Sequence, residues 1–217
     1  MGKIIVDHTT PEYVKRTNQS VDNRYNGAYY YSVEIVKNFV PNIKTDRPWV
    51  TVNQKGMGQD HAIVFVHNNL HPEWYEHLSV WKDLILVCGV PETCNKVKHL
   101  GKPIYLPLSV DVAEVEKYKS EKCKGTAFVG RKEKRYGKFI PHNIVYLEGI
   151  AREKLLPMVA EFHQIYAVGR CAIEGKILDC KILPYDKRFP DPDIWRVIDS
   201  MEAVQMLQAM LDDIDKR

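Results

Sequence analysis

The sequence lacks the features that identify a zinc protein, a membrane protein or a repeat protein. Its five cysteines form no CxxC pair, and several lie in apolar runs, which is typical of buried free thiols in a reducing cytoplasm. No apolar run approaches the length of a membrane span, and the opening MGKIIVDHTT is too short a run for a signal peptide. No internal repeat or low-complexity segment is found. These absences favour a cytoplasmic globular protein.

The charge balance excludes little. The chain has 31 Lys and Arg against 28 Asp and Glu, a net charge of +3 that is compatible with a polyanionic partner without requiring one. With 45% apolar residues and 217 residues in all, it can form one domain or two small ones.

Short apolar runs alternate with helical patterns along the chain. Because strands that are apolar throughout and alternate with helices indicate parallel sheets covered on both faces, the pattern predicts an α/β fold. The polar stretch at 109–124 separates two series of strands and predicts two domains, residues 1–108 and 109–217. Asp199-x-x-Glu202 resembles a capping box and predicts a C-terminal helix. The predicted strands lie at 3–7, 49–52, 62–67, 84–87, 103–108, 125–130, 143–147, 165–168 and 181–184.

The stretch 165–186, IYAVGRCAIEGKILDCKILPYD, is the most informative part of the sequence. It predicts a strand, a tight turn at Gly169-Arg170, a helix with one acidic residue, Glu174, and a further strand. This order places an arginine and helix N-terminal amides at the carboxyl end of a strand. Many α/β proteins bind phosphorylated ligands at that position.

The order of three motifs resembles the GT-B class of nucleotide-sugar glycosyltransferases. YLPLSVDV enters the interdomain stretch, AFVGR opens the second domain, and LEG precedes the 165–186 unit; together they cover most of residues 103–186. The sequence departs from the class at Asp179-Cys180, where a small residue or Gly is usual. The resemblance implies two Rossmann-like domains facing a cleft, each with a parallel sheet. It also implies a UDP-sugar co-substrate, no prosthetic group and no catalytic metal.

The resemblance implies that cations hold the departing diphosphate. Arg131 follows the AFVG strand and opens a basic tract that includes Arg135, and Gly169 with Arg170 forms the turn before the second helix. Arginines and helix dipoles can stabilise the charge of a leaving diphosphate. Taken alone, residues 131–138 are also consistent with a solvated basic loop.

Two further residues of the second domain are assigned to the donor by the resemblance. Glu174 corresponds to the acidic residue that accepts the ribose hydroxyls, and Gly149, after the YLE strand, is a candidate contact to the base. A simpler alternative for Glu174 is an intrahelical ion pair with Arg170 at i, i+4, which contributes only tenths of a kcal/mol when exposed.

The catalytic base is expected in the first domain. Asp7 and His8 follow the first predicted strand, Asp60 and His61 precede the third, and His67 follows it. Each has the chemistry of a general base, although a polar cap at a strand end is the alternative for every one of them. Position favours His67.

The sequence does not determine the identity of the acceptor. A compact, mildly basic GT-B enzyme is similar to the DNA-modifying glycosyltransferases of T-even-like phages, which act on hydroxymethylated cytosine flipped out of double-stranded DNA. The first quarter of the chain is rich in Lys and Arg with interleaved Tyr, which is compatible with DNA binding, although a buried helix face also explains most of the Tyr residues. A protein, lipid or small-molecule acceptor, and a non-catalytic nucleotide-binding module, are the alternatives.

Overall fold

The computed structural model describes residues 4–6, 27–51, 58–66, 72–130 and 140–216. The chain is an α/β protein with two separate sheets, and every strand pair within each sheet is parallel. It divides into two compact units. Unit 1 comprises Met1–Pro107 with Ser200–Arg217, and unit 2 comprises Leu108–Asp199. No helix in the described ranges combines the length and the apolarity that a membrane span requires.

Unit 1 contains a five-stranded sheet in which each strand pairs with the next strand along the chain. All residues of its third and fourth strands are buried, as expected for parallel strands covered on both faces. The elements in chain order are β1 (Ile4–Val6), α1 (Gly27–Glu34), a π-helical turn (Ile35–Phe39), β2 (Trp49–Val50), β3 (Ile63–Val66), a 3₁₀-helix (Pro72–Val80), β4 (Ile85–Cys88), α2 (Pro91–Val97) and β5 (Lys102–Tyr105).

The two faces of this sheet pack on different partners. On one face, Phe65 of β3 stacks on Trp49 with ring centroids 6.1 Å apart, and the rings of Tyr31 and Phe39 meet Phe65 edge-on. On the other face, aliphatic side chains of the central strands pack with residues of the 3₁₀-helix and α2, including Leu78. The period of two along each strand therefore separates an aromatic layer from an aliphatic one.

The C-terminal helix α6 (Ser200–Asp215) belongs to unit 1, whereas the sequence placed it in the second domain. Its buried apolar stripe contacts the π-helical turn of unit 1, and the Ser200 hydroxyl donates to the buried carboxylate of Glu34. The Lys44 amide also donates to Gln208 Oε1 at 2.7 Å. These partners lie more than 150 residues away in sequence, so chain order alone could not reveal them. The other boundary, between Pro107 and Leu108, lies one residue from the predicted one.

Unit 2 contains a four-stranded sheet of order β7-β6-β8-β9. One helix, α3, forms within the stretch that the sequence treated only as a connection, because Asp111 caps it by accepting the Glu114 amide at 2.9 Å. The elements are α3 (Val112–Glu116), β6 (Lys124–Gly130), β7 (Val145–Glu148), α4 (Arg152–Ala160), β8 (Phe162–Tyr166), α5 (Arg170–Ile177), β9 (Lys181–Leu183) and a 3₁₀-turn (Pro192–Ile194).

The strand order of unit 2 contains a reversal that unit 1 lacks among its described strands. From β6 the chain moves to β7 on one side, then returns across β6 to β8 and continues to β9. Such a reversal is a topological switch point, and open parallel sheets bind ligands beyond the carboxyl ends of the strands beside it. The carboxyl edge between β6 and β8 is therefore the position in unit 2 where topology favours a ligand.

Candidate functional site

Two glycine turns lead from the carboxyl ends of β7 and β8 into helices. Between β7 and α4 the chain turns at Gly149, with φ +65°, and between β8 and α5 it turns at Gly169, with φ +63° and ψ −138°. Side chains disfavour positive φ, so glycine suits both turns. Each helix then begins with an arginine, Arg152 in α4 and Arg170 in α5. The helices contact each other and present their amino ends at the same edge of the sheet.

Glu174 joins the two turns. Its Oε1 accepts hydrogen bonds from Arg152 Nε at 2.8 Å and from Arg170 Nε at 3.0 Å. The side chain of Glu174 is 6% exposed, and those of Arg152 and Arg170 are 13% and 12% exposed. The carboxylate thus joins one guanidinium group from each helix, and the three side chains together are here called the arginine triad.

Close packing of α5 on the sheet fixes the position of the triad. A Cβ atom at Gly175 would overlap Ile165 Cδ1 of β8 and would lie 3.0 Å from Ile182 Cδ1 of β9. Glycine lets the helix backbone approach the two strands here, whereas a Cβ would require the Ile165 δ-methyl group to shift. Since Glu174 precedes Gly175 directly, the same approach sets the depth of the carboxylate.

The opposite ends of α4 and α5 are held by one ammonium group. Lys122 Nζ donates to the Ala160 carbonyl at 2.6 Å and also to the Leu178 carbonyl, at the carboxyl ends of the two helices. A cation is favourable there because helix dipoles place partial negative charge at carboxyl ends. At the amino ends the N-cap residues are Ala151 and Gly169, neither of which makes a side-chain capping bond. The positive dipole ends therefore face the carboxyl edge of the sheet without a side-chain acceptor from their own caps.

The strand β9 brings a third arginine to the same edge. Arg188 binds the buried Asp186 through Nε at 2.8 Å and also through Nη2. The preceding Tyr185 is buried and packs edge-on against Phe128 of β6 with ring centroids 5.5 Å apart. This loop thus combines a paired cation with an aromatic contact to the central strand.

The structure brings four of the predicted donor residues to one edge of unit 2: Gly149, Gly169, Arg170 and Glu174. Arg131 and Arg135 lie outside the described residues. The Arg170–Glu174 pair expected as an alternative is present, but it is buried and shared with a second arginine. Sequence reasoning missed that arginine, Arg152. The pattern Glu-Gly-x-x-Arg after β7, which parallels Val-Gly-Arg after β8, was the signal that could have identified it.

The first-unit candidates are distributed differently. Asp7, His8 and His67 lie outside the described residues. Asp60 is exposed and precedes β3, at the amino end of that strand, so it lies at the opposite end of β3 from the position that follows Val66. Its Oδ1 accepts the Lys82 amide at 2.6 Å, which holds the turn before β3 against the turn before β4.

A charged network surrounds Asp60's neighbour His61 at this amino end. His61 Nδ1 hydrogen-bonds the Asp83 carboxylate, and Arg47 Nη1 donates to the same carboxylate oxygen at 3.1 Å. The hydrogen bond with His61, together with the hydrogen bond and charge of Arg47, holds the pKa of Asp83 below its usual value. Both His61 and Asp83 adopt positive φ, and the network stabilises these turns. The contacts of this group are those of a structural network.

Within the part of the chain that the structure describes, no group of three or more His, Cys, Asp or Glu side chains could hold a metal ion. The chain was also compared with known families and proteins. No family model, no curated protein and no solved structure matches it.

Proposed function

We propose that unit 2 binds the diphosphate of a nucleotide sugar at the carboxyl edge of its sheet, and that the chain is a UDP-sugar-dependent glycosyltransferase of the GT-B class. The observation that carries the proposal is the buried Glu174, which holds Arg152 and Arg170 at two adjacent helix amino ends. The reaction type comes from the sequence resemblance. The presence of two parallel α/β units supports the class, and a cleft between two such domains is part of the proposal.

The arginine triad has the chemistry that a leaving diphosphate requires. Arginine stays charged at all physiological pH values, and its planar guanidinium presents N–H donors in a fixed fork that matches phosphate oxygens. Helix amino ends add further positive potential at the same edge. Charges held in place before the reaction stabilise a developing anion without reorganisation. The two turns therefore favour a ligand with two neighbouring phosphate groups.

Glu174 has a different role here from the one that the resemblance implies. A ribose would have to reach a carboxylate that is 6% exposed and already accepts two guanidinium bonds at Oε1. We assign to Glu174 the positioning of Arg152 and Arg170, and the contact with the donor to the arginines themselves.

A non-catalytic nucleotide-binding module is the second candidate. The arginine triad supports this candidate equally well. Binding a diphosphate does not require a group that deprotonates an acceptor. The discriminating experiment incubates the protein with UDP-glucose, UDP-galactose and UDP-N-acetylglucosamine and measures UDP release, alongside the melting temperature with UDP. Release of UDP supports the transferase. A UDP-dependent rise in melting temperature with no release from any donor supports the module. If UDP is not released and the melting temperature does not rise, both candidate functions are contradicted.

The proposed acceptor, hydroxymethylated cytosine in duplex DNA, rests on the resemblance to the phage enzymes. Its test is transfer of radiolabelled sugar to DNA with and without hydroxymethylated cytosine. Incorporation that requires the hydroxymethyl group supports this acceptor. Incorporation into a small-molecule or protein hydroxyl, with none into the DNA, would assign the enzyme to the alternative acceptor class.

A further inference from the structure

Unit 1 contains two of the five cysteines, Cys88 and Cys94, and the structure brings them together. Cys88 is the last residue of β4 and is completely buried in the aliphatic core, where its Sγ lies 3.5 Å from the Leu86 carbonyl oxygen. Cys94 lies in α2, is partly buried, and packs against the cluster that contains Cys88. The helix α2 packs directly on β4.

The turn between β4 and α2 explains why the two cysteines lie near each other. Only five residues separate the cysteines, and the chain reverses at Gly89-Val90 before Pro91 begins the helix. The Thr93 amide donates to the Val90 carbonyl at 3.1 Å, which closes the first helical turn. As a result the two thiols lie close enough for each to affect the pKa of the other. The other three cysteines, Cys123, Cys171 and Cys180, belong to unit 2.

We propose that Cys88 and Cys94 form an oxidation site, in which a peroxide-class oxidant converts the two thiols into an intramolecular disulfide. This inference does not depend on the proposed function. We expect the pair to need little movement to react because strand and helix already hold both side chains in the same packed cluster. A disulfide here would tie the first turn of α2 to the end of β4.

The reaction balances with hydrogen peroxide as the oxidant. The Cys94 thiolate, the more accessible of the two, attacks one peroxide oxygen. The O–O bond breaks, hydroxide departs, and a sulfenic acid forms on Cys94. The Cys88 sulfur then attacks the Cys94 sulfur, the S–O bond breaks, and the departing hydroxide takes up the Cys88 proton as water. In sum, two thiols and one hydrogen peroxide give one disulfide and two water molecules.

The surroundings of the thiols set the pH dependence of this step. Burial raises the pKa of both Cys88 and Cys94 above the usual thiol value. Since the thiolate is the nucleophile, the folded protein should react slowly near neutral pH. In the range below the thiol pKa, each rise of one pH unit should increase the rate about tenfold.

Both cysteines fall within one tryptic peptide, Asp83–Lys96, which makes the test direct. Folded protein is treated with hydrogen peroxide at alkaline pH, blocked with iodoacetamide, and digested. The expected product is this peptide without alkylation and lighter by two hydrogens, recovered as the doubly alkylated form after dithiothreitol. Circular dichroism before and after treatment confirms that the protein stays folded.

Two variants distinguish disulfide formation between Cys88 and Cys94 from oxidation of other thiols in the protein. Cys94→Ser should remove the disulfide peptide, whereas Cys123→Ser, which lacks an exposed thiol outside the pair, should form it as the wild type does. The proposal is overturned if the folded wild type retains both thiols under these conditions while urea-unfolded protein oxidises. It is equally overturned if oxidation yields only intermolecular disulfides or sulfinic acid at these positions.

Discussion

Arg152 Nε lies 2.8 Å from Glu174 Oε1, across 22 residues of sequence, and this bond joins the first turn of α4 to the middle of α5. Arg170 donates to the same oxygen at 3.0 Å from within α5. The Glu174 carboxylate therefore links the turn at Gly149 to the turn at Gly169, although the two turns lie in separate stretches of the chain.

Replacing Glu174 with Gln should strongly destabilise unit 2. The variant keeps the shape of the side chain but removes the buried carboxylate charge that both guanidinium groups bind. Removing one partner of a buried ion pair costs about 3–5 kcal/mol of unfolding free energy. Urea denaturation followed by circular dichroism measures the change.

The matched control for this variant is Glu121→Gln, an exposed glutamate of the same unit. It should change the unfolding free energy by no more than about 0.5 kcal/mol, as is usual for surface substitutions. Equal stabilities for the two variants would show that the arginine triad contributes nothing to the fold.

Gly175→Ala should destabilise α5 although alanine is the better helix former. The added Cβ would overlap Ile165 Cδ1, and overpacking of a buried contact costs about 1–3 kcal/mol, against about 1 kcal/mol gained from helix propensity. Thermal unfolding of this variant is compared with that of Gly125→Ala, where an added Cβ meets no atom within 4 Å. A Gly175→Ala protein that melts above the wild type would contradict the close packing.

The pH dependence of stability should include a contribution from Asp83. Its pKa is lowered in the folded protein, so its stabilising effect is present above the unfolded value of about 3.9 and is lost as the pH falls through the folded value. Because the side chain is 60% exposed, we expect no more than about 1 kcal/mol at pH 7. Urea titrations of wild type and Asp83→Asn should differ at neutral pH and converge near pH 2.

The control for this titration is Asp193→Asn. Asp193 is 90% exposed and lies 3.5 Å from Lys176, so its removal should leave the curve nearly unchanged. A constant difference between Asp83→Asn and wild type across the acid range would mean that the charge of Asp83 is not the cause.

Most of the strands could be predicted because buried parallel strands are continuous apolar runs. Boundaries were less predictable near residue 162. The apolar pattern predicts a strand from Ile165, whereas β8 already begins at Phe162, two residues after α4 ends at Ala160. The Glu161 carbonyl accepts the amides of Cys123 and Lys124, which anchors the chain at this point. Those partners come from another element, so no local pattern reports them.

In the candidate site, too, local features could be predicted from the sequence and contacts between distant residues could not. The turn at Gly169-Arg170 was predictable because its residues are adjacent in sequence. The pairing of Arg152 with Glu174 depends on α4 lying beside α5, which only the strand order of the sheet determines. The departure at Asp179 has a local reason, since this residue adopts φ +60°, a conformation that Asp tolerates better than most residues with side chains.

The most direct test of the account is calorimetric titration of UDP into wild type, Arg152→Gln, Arg170→Gln and Arg196→Gln. Arg196 is an exposed arginine of unit 2 and serves as the control. Losing a charge-assisted hydrogen bond costs about 1.5–3 kcal/mol, so each triad variant should bind UDP about 10- to 100-fold more weakly than wild type, and Arg196→Gln should bind like wild type. Folded triad variants that bind UDP with wild-type affinity, or wild-type protein that does not bind UDP at all, would contradict the proposed donor site.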